Sequence, residues 1–220
     1  MSDFFKLDNP VWHSLSETHH SFSVNYDSIK FYHPDYCPFG GFIEDDSIAP
    51  FIDQYSTLAD NFFIVGNRPP IPGQLKLKSE LICLQMLTDK RIDIVLDEQV
   101  VLLGENNREE LIKLVNLVQP GYFKSKTPSM GDYYGIFKNE MLVAVTGERM
   151  QMQNFVEVSA VVTHPSHTGN GYAKQLVAHT VNTIFDKNKI PYLHVAETNT
   201  GAIALYNKLG FDTRRKISFW

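Results

Sequence analysis

The sequence predicts a mixed α/β fold, a mostly antiparallel sheet flanked by helices, preceded by a smaller α+β region. Three observations carry this expectation. Beyond residue 89, strand-like runs alternate with three amphipathic segments of helical period. In "SAVVTHPSHTGNGYAKQLVAHTVNTIF", residues 159–185, a β-branched run breaks at His-Pro, crosses two glycines two positions apart, and becomes helical. Before residue 89 the texture differs, with aromatics and turn residues crowded together as in "FYHPDYCPFGGF" and "NRPPIPGQ". The chain is therefore divided into 1–88 and 89–220.

Within 1–88, strand-like runs stand out at 21–24, 29–32, 61–65 and 81–87. A helix is expected over 49–58, with Asp46 or Ser47 near its start. The stretch 68–73 is rich in proline and reads as a surface loop. Within 89–220, "RIDIVLDE" predicts a strand. "NREELIKLVNLV" places Leu111, Leu114, Val115 and Val118 on one helical face, with acidic residues in the first turn, until Pro120-Gly121 stop it. "DYYGIFKNEMLVAVTGERM" reads as two strands joined by a hairpin at Lys138-Asn139-Glu140, and "NFVEVSAVVT" as a third. "GYAKQLVAHTVNTIFDKNK" is a long amphipathic helix whose buried face holds Leu176, Val177, Val181, Ile184 and Phe185. "PYLHVAE" is a strand, "GAIALYNKLG" a short helix ended by Gly210, and "FDTRRKISFW" a last strand. The order is β-α-β-β-β-α-β-α-β.

The 220 residues are 43% hydrophobic and 20% charged, which suits an ordinary globular core. A net charge of −5 gives no electrostatic argument for nucleic acid or an anionic membrane, and neither is expected as a partner. Cys37 and Cys83 lie far apart and outside CxxC spacing, so reduced thiols are expected rather than a disulfide framework or a cysteine zinc site. "MSDFFKLDNP" has no basic segment leading into an apolar run, and no window approaches the ~20 apolar residues of a membrane span. A cytoplasmic protein is expected.

At the glycine corner, a strand ends in a tight turn that opens a helix. Such a turn exposes unpaired amides beside the positive end of the helix dipole and can hold a phosphate or pyrophosphate. Glycines let the main chain come close to the ligand. Two nucleotide readings fail: a dinucleotide fingerprint needs Gly or Ala where Lys174 stands, and no GxxxxGK-[S/T] run occurs. A turn with no ligand stays open.

The surroundings of the corner narrow the choice. "VVTHPSHTGNGYA" resembles the acyl-CoA-binding motif of the GNAT superfamily of N-acetyltransferases, Q/R-x-x-G-x-G/A, at Thr168, Gly169, Asn170, Gly171, Tyr172 and Ala173. "ETNTGAIALYNKLGF" is similar to the second signature of that family, at Asn199, Ala202, Leu205, Tyr206, Leu209, Gly210 and Phe211. The resemblance covers residues 90–220 and implies a GNAT-type sheet. It implies acetyl-CoA as co-substrate, with the pyrophosphate cradled by the amides of residues 169–173. The pantetheine arm would pair with the main chain of Val161 and Thr163, with Val162 alongside. Asn199 would bond the pantetheine or cap the following helix. Tyr206 falls where the family has the proton donor to the departing thiolate, and Glu157 where some members carry the base; other members deprotonate the amine through water. Partial burial would raise the Glu157 pKa toward that task. The usual Arg or Gln of the motif is Thr168 here, so a long polar side chain is missing from the pyrophosphate loop. The first half, with its β-α-β-β texture, would be a degenerate half-copy of the same fold.

Other polar clusters carry less. His164 and His167 form an HxxH pair and His19-His20 another, but neither has a further ligand at metal spacing, and no metal is expected. His194 reads as a core histidine. Arg214, Arg215 and Lys216 would approach the CoA phosphates or an acidic acceptor, or line an exposed strand. The leading expectation is acetyl transfer to a primary amine on a small molecule or a peptide. A catalytically silent CoA-binding module and a ligand-free α/β domain are the alternatives. Net charge does not choose among polyamines, aminoglycosides and peptide N-termini, and the oligomeric state is not legible.

Overall fold

The computed structural model describes residues 3–43 and 47–220. Its strands are β1 (Ser23–Tyr26), β2 (Ile29–Tyr32), β3 (Phe39–Phe42), β4 (Phe63–Ile64), β5 (Leu81–Leu87), β6 (Val101–Leu102), β7 (Tyr133–Lys138), β8 (Met141–Gln151), β9 (Phe155–Thr163), β10 (Ile190–Ala196) and β11 (Asp212–Phe219). Its helices are α1 (Pro10–Ser16), α2 (Ala49–Ser56), α3 (Arg108–Val118), α4 (Tyr172–Asp186) and α5 (Thr200–Lys208). A small sheet runs β1-β2-β3-β4 and a large one β11-β5-β10-β9-β8-β7-β6. Every neighbour pair is antiparallel except β3·β4 and β9·β10. The fold is the expected mixed, mostly antiparallel α/β one.

The two sheets share backbone bonds and a core. Ile64 and Trp220 exchange N–H···O bonds of 3.0 and 2.9 Å, so β4 is hydrogen-bonded to the end of β11. Leu7, Val11, Tyr32 and Phe39 from the first half pack with Met150, Phe155, Tyr192 and Phe219 from the second. Burying apolar area from both halves in one cluster couples their stability. β5 lies between β10 and β11, so a strand from before residue 88 belongs to the large sheet.

Most expected elements appear, and the departures have causes. "RIDIVLDE" forms no strand: Asn182 accepts from the Ile92 N–H and donates to its carbonyl, and Gln175 accepts from the Glu98 N–H. Side chains of α4 thus hold this segment as an extended cover, and the edge strand β6 forms a few residues later. Val118 is 37% exposed rather than buried, because α3 ends there. Phe185 is only partly buried, with the Arg91 guanidinium 6.0 Å over its ring. α2 stops at Ser56, two residues early, and Ile48 rather than Ser47 precedes it; Asp46 lies outside the described residues. The hairpin turns on Asn139 and Glu140, whose φ of 48° and 64° suit a two-residue loop matched to strand twist. Among the described residues no helix is long and apolar enough to cross a membrane.

Candidate active site

β9 and β10 pair in parallel only over Phe155–Glu157 and Ile190–Tyr192. Beyond that point they part: β9 stays with β8 and β10 stays with β5. The gap opens into a cleft of about 470 Å³ whose walls include Val158–Val161 on one side, His194–Ala196 on the other, and Ala173, Asn199, Ala202, Leu205 and Tyr206 from the helices. The edge of β9 facing this gap lacks a strand partner, a template for extended polar chains. A bulge marks the same stretch. Ala160 and Val161 together oppose Thr146, and Ala160 sits in the left-handed region at φ 51°. Bulging leaves a residue unpaired and re-aims the strand.

The glycine turn precedes α4, whose second residue, Ala173, lines the cleft. Gly169 and Gly171 have φ of 83° and 75°, and a Cβ built on either would meet nothing within 4 Å. Conformation rather than crowding therefore demands glycine here. Thr168 Oγ1 donates to the Pro165 carbonyl and Asn170 Nδ2 to that of His167, which fixes the turn with side chains. No backbone acceptor among the described residues takes an N–H from residues 168–174. Those amides, at the start of a 15-residue helix, fit a pyrophosphate.

The structure brings Val161, Ala173, Asn199, Ala202 and Tyr206 together around the cleft, with Thr168, Gly169, Asn170 and Gly171 forming the turn. Asn199 caps α5, accepting from the Ala202 N–H at 3.1 Å, while also lining the cleft. Two expected residues offer main chain only. Val162 pairs with Val145 and buries its side chain against α3, and Tyr172 packs against Tyr134, Val143 and Leu176. Thr163, at the end of β9, pairs with Ala144. Tyr206 is 6% exposed, and burial alone pushes its phenol up to about 12. Cys83 also lines the cleft, but burial raises its thiol to about 12 as well, so it holds no ready thiolate.

Glu157 is the main correction. It is fully buried and outside the cleft wall, with Oε2 and Oε1 accepting from Arg149 Nε and Nη2, each at 2.7 Å. His194 Nδ1 lies 2.8 Å from Oε1. Burial alone would raise the carboxyl's pKa, but the Arg149 charge and the hydrogen bonds from Arg149 and His194 outweigh it and hold the group down at about 2. A carboxylate so held is a poor proton acceptor. The network continues outward: Gln85 Oε1 accepts from Arg214, so its amide nitrogen donates to the Leu7 carbonyl and to His194 Nε2. His194 must then carry its proton on Nδ1 and donate it to Glu157. This leaves no lone pair of His194 facing the cleft.

Sequence reasoning also missed Arg149 and the Ala160 bulge; an arginine mid-strand and an alanine carry no motif. Arg214 and Arg215 are engaged with Asp8, and Lys216 with Glu197. His164 bonds Ser166, and His19 lies against Tyr32.

Comparisons with known proteins agree with this geometry. Residues 133–220 match a family model described as FR47-like protein. The chain is 31% identical to a protein from the GNAT family of Novosphingobium aromaticivorans DSM 12444, with a TM-score of 0.90, covering 97% of this chain and 96% of that one. It shares its fold with a GCN5-related N-acetyltransferase from Kribbella flavida, at 13% identity and TM-score 0.66 over 100% and 95% of the two chains. The same holds for a GCN5-related N-acetyltransferase-like protein from Streptococcus suis 89/1591, at 13% and 0.65 over 96% and 91%. No curated protein matches the sequence.

Proposed function

The chain belongs to the GNAT family, and from that premise we propose that it transfers an acetyl group from acetyl-CoA to a primary amine by direct attack, with Tyr206 as donor to the leaving sulfur. The observation that carries this reading is the parting of β9 from β10 beside Tyr206, with turn amides that no described backbone acceptor takes leading into Ala173 of the cleft wall. Bound there, acetyl-CoA supplies a thioester: a C–N bond forms as the C–S bond breaks, the sulfur leaves with the electron pair, and the amine proton passes to water. The turn amides of residues 169–173 hold the diphosphate, and the main chain of Val161 and Thr163 pairs with the pantetheine amides. The Val161 N–H, at the bulge, is the candidate donor to the thioester carbonyl.

With its phenol raised to about 12, Tyr206 stays protonated at any working pH. Its role is to hydrogen-bond the negative charge that grows on sulfur. Glu157 has no part in proton removal, which falls to solvent in the cleft. Thiol release from acetyl-CoA across a panel of amines tests the reading. Tyr206→Phe is expected to lower kcat ~10-fold or more, in the range of acid catalysis, while CoA binds as before. An unchanged kcat would retire the tyrosine. Binding of CoA with no thiol release for any amine would leave a silent binding module.

A further inference from the structure

Resting on the acetyl-transfer reading, we infer that the acceptor is a free amino acid with an apolar side chain, its carboxylate held by the unused edge of Arg149. Arg149 spends Nε and Nη2 on Glu157. The guanidinium carbon lies 4.7 Å over the Phe39 ring, which fixes the plane of the group. The side chain keeps 16% of its surface exposed, and it lines the cleft. Among the described residues nothing accepts from Nη1, which leaves its N–H groups to meet an anion on a fork already locked on its other side. A locked, planar donor pair suits a carboxylate, and little side-chain entropy remains to be lost on binding.

The rest of the cleft agrees. Among the described residues no aspartate or glutamate lines its walls, and the Glu157 carboxylate is already spent on Arg149 and His194, so a polycationic amine would find no anion there to balance its charge. The walls that Arg149 shares include the large apolar and aromatic side chains of Phe39, Leu81, Tyr122 and Phe219, with Gln119 and Ser159 as polar members. Phe39 and Phe219 meet edge to face at 5.4 Å. A carboxylate beside an apolar side chain matches one cation set among aromatic rings. The reaction then yields an N-acetylamino acid and CoA thiol: the amino nitrogen takes the acetyl carbon, the C–S pair goes to sulfur, and one proton leaves to water.

Thiol release is measured with acetyl-CoA and L-leucine or L-phenylalanine, against their primary amides and spermidine. The amides keep the amine and side chain but lack the charge. Their amine is less basic, so more of it is unprotonated near neutral pH and the chemical bias runs against the proposal. The free acids are expected to exceed their amides at least tenfold in kcat/KM, and to exceed spermidine. Arg149→Lys keeps the charge beside Glu157 but loses the fork, and is expected to bring the acid-to-amide ratio toward one. Amides or spermidine used as well as the acids would overturn the inference while leaving acetyl transfer standing. So would an undiminished ratio in a folded Arg149→Lys protein. Absence of thiol release above the amine-free background for every amine would overturn both.

Discussion

Arg149 and Glu157 face each other across β8 and β9 as a fully hydrogen-bonded ion pair, one carboxylate serving both a guanidinium and an imidazole. Replacing Glu157 by Gln leaves the arginine charge buried and unpaired, which costs ~3–5 kcal/mol. Urea denaturation is expected to show that loss as a lowered midpoint. A catalytic base would instead lower kcat with stability intact, and that result would restore the role the structure removes. Sequence reading found this glutamate but assigned it the opposite environment. Its partners, Arg149 eight residues away through a hairpin and His194 on another strand, come together only through tertiary pairing. Tyr206 was legible because a local signature carries it. Arg149 was not, since a mid-strand arginine reads first as solvated.

Elements whose shape is set locally were the most legible. The glycine turn, the hairpin at Asn139-Glu140 and the alternation in β7 to β9 follow from positive φ and from period-2 and period-3.6 patterns. What failed was the segment 91–98, whose alternation was real but whose amides are satisfied by Asn182 and Gln175 rather than by a neighbouring strand. The bulge at Ala160 gave no signal, because alanine rather than glycine takes the left-handed conformation there. At Gly171 the backbone requirement and the ligand requirement coincide. Gly171→Ala is expected to cost ~1 kcal/mol of stability through its left-handed φ. It should also weaken CoA binding ~10-fold or more by disturbing charge-assisted amide bonds, each worth ~1.5–3 kcal/mol. Calorimetric titration that found the CoA affinity unchanged would remove the turn from the site.

At the scale of the molecule, the first half is built into the same body as the second: it supplies Phe39, Leu81 and Cys83 to the cleft and β5 to the large sheet. The texture of that half disclosed its strands but not where they pair, since register with β10 and β11 depends on residues more than a hundred positions away. The joint between halves contains His19, 2% exposed, whose Nδ1 lies 2.9 Å from the Tyr32 hydroxyl. Burial lowers its pKa from 6.5 to about 4, with a Met130 carbonyl opposing and Lys189 assisting. Between those values the unfolded chain binds a proton that the folded one refuses, so stability is complete above pH 6.5 and falls toward pH 4. Thermal melting is expected to fall over that window, and His19→Gln to flatten the slope. His13 and His179, also lowered by burial, retain part of it. An identical slope in the variant would assign the effect elsewhere.

In the proposed complex the gap between β9 and β10 receives the pantetheine arm while the turn holds the diphosphate. A crystal structure of the protein with CoA tests it most directly. Phosphate oxygens are expected within about 3 Å of the amides of residues 169–173, with the arm paired along Val161 and the sulfur beside the Tyr206 hydroxyl. Electron density for CoA on another face, with the turn and the strand edge bare, would contradict it.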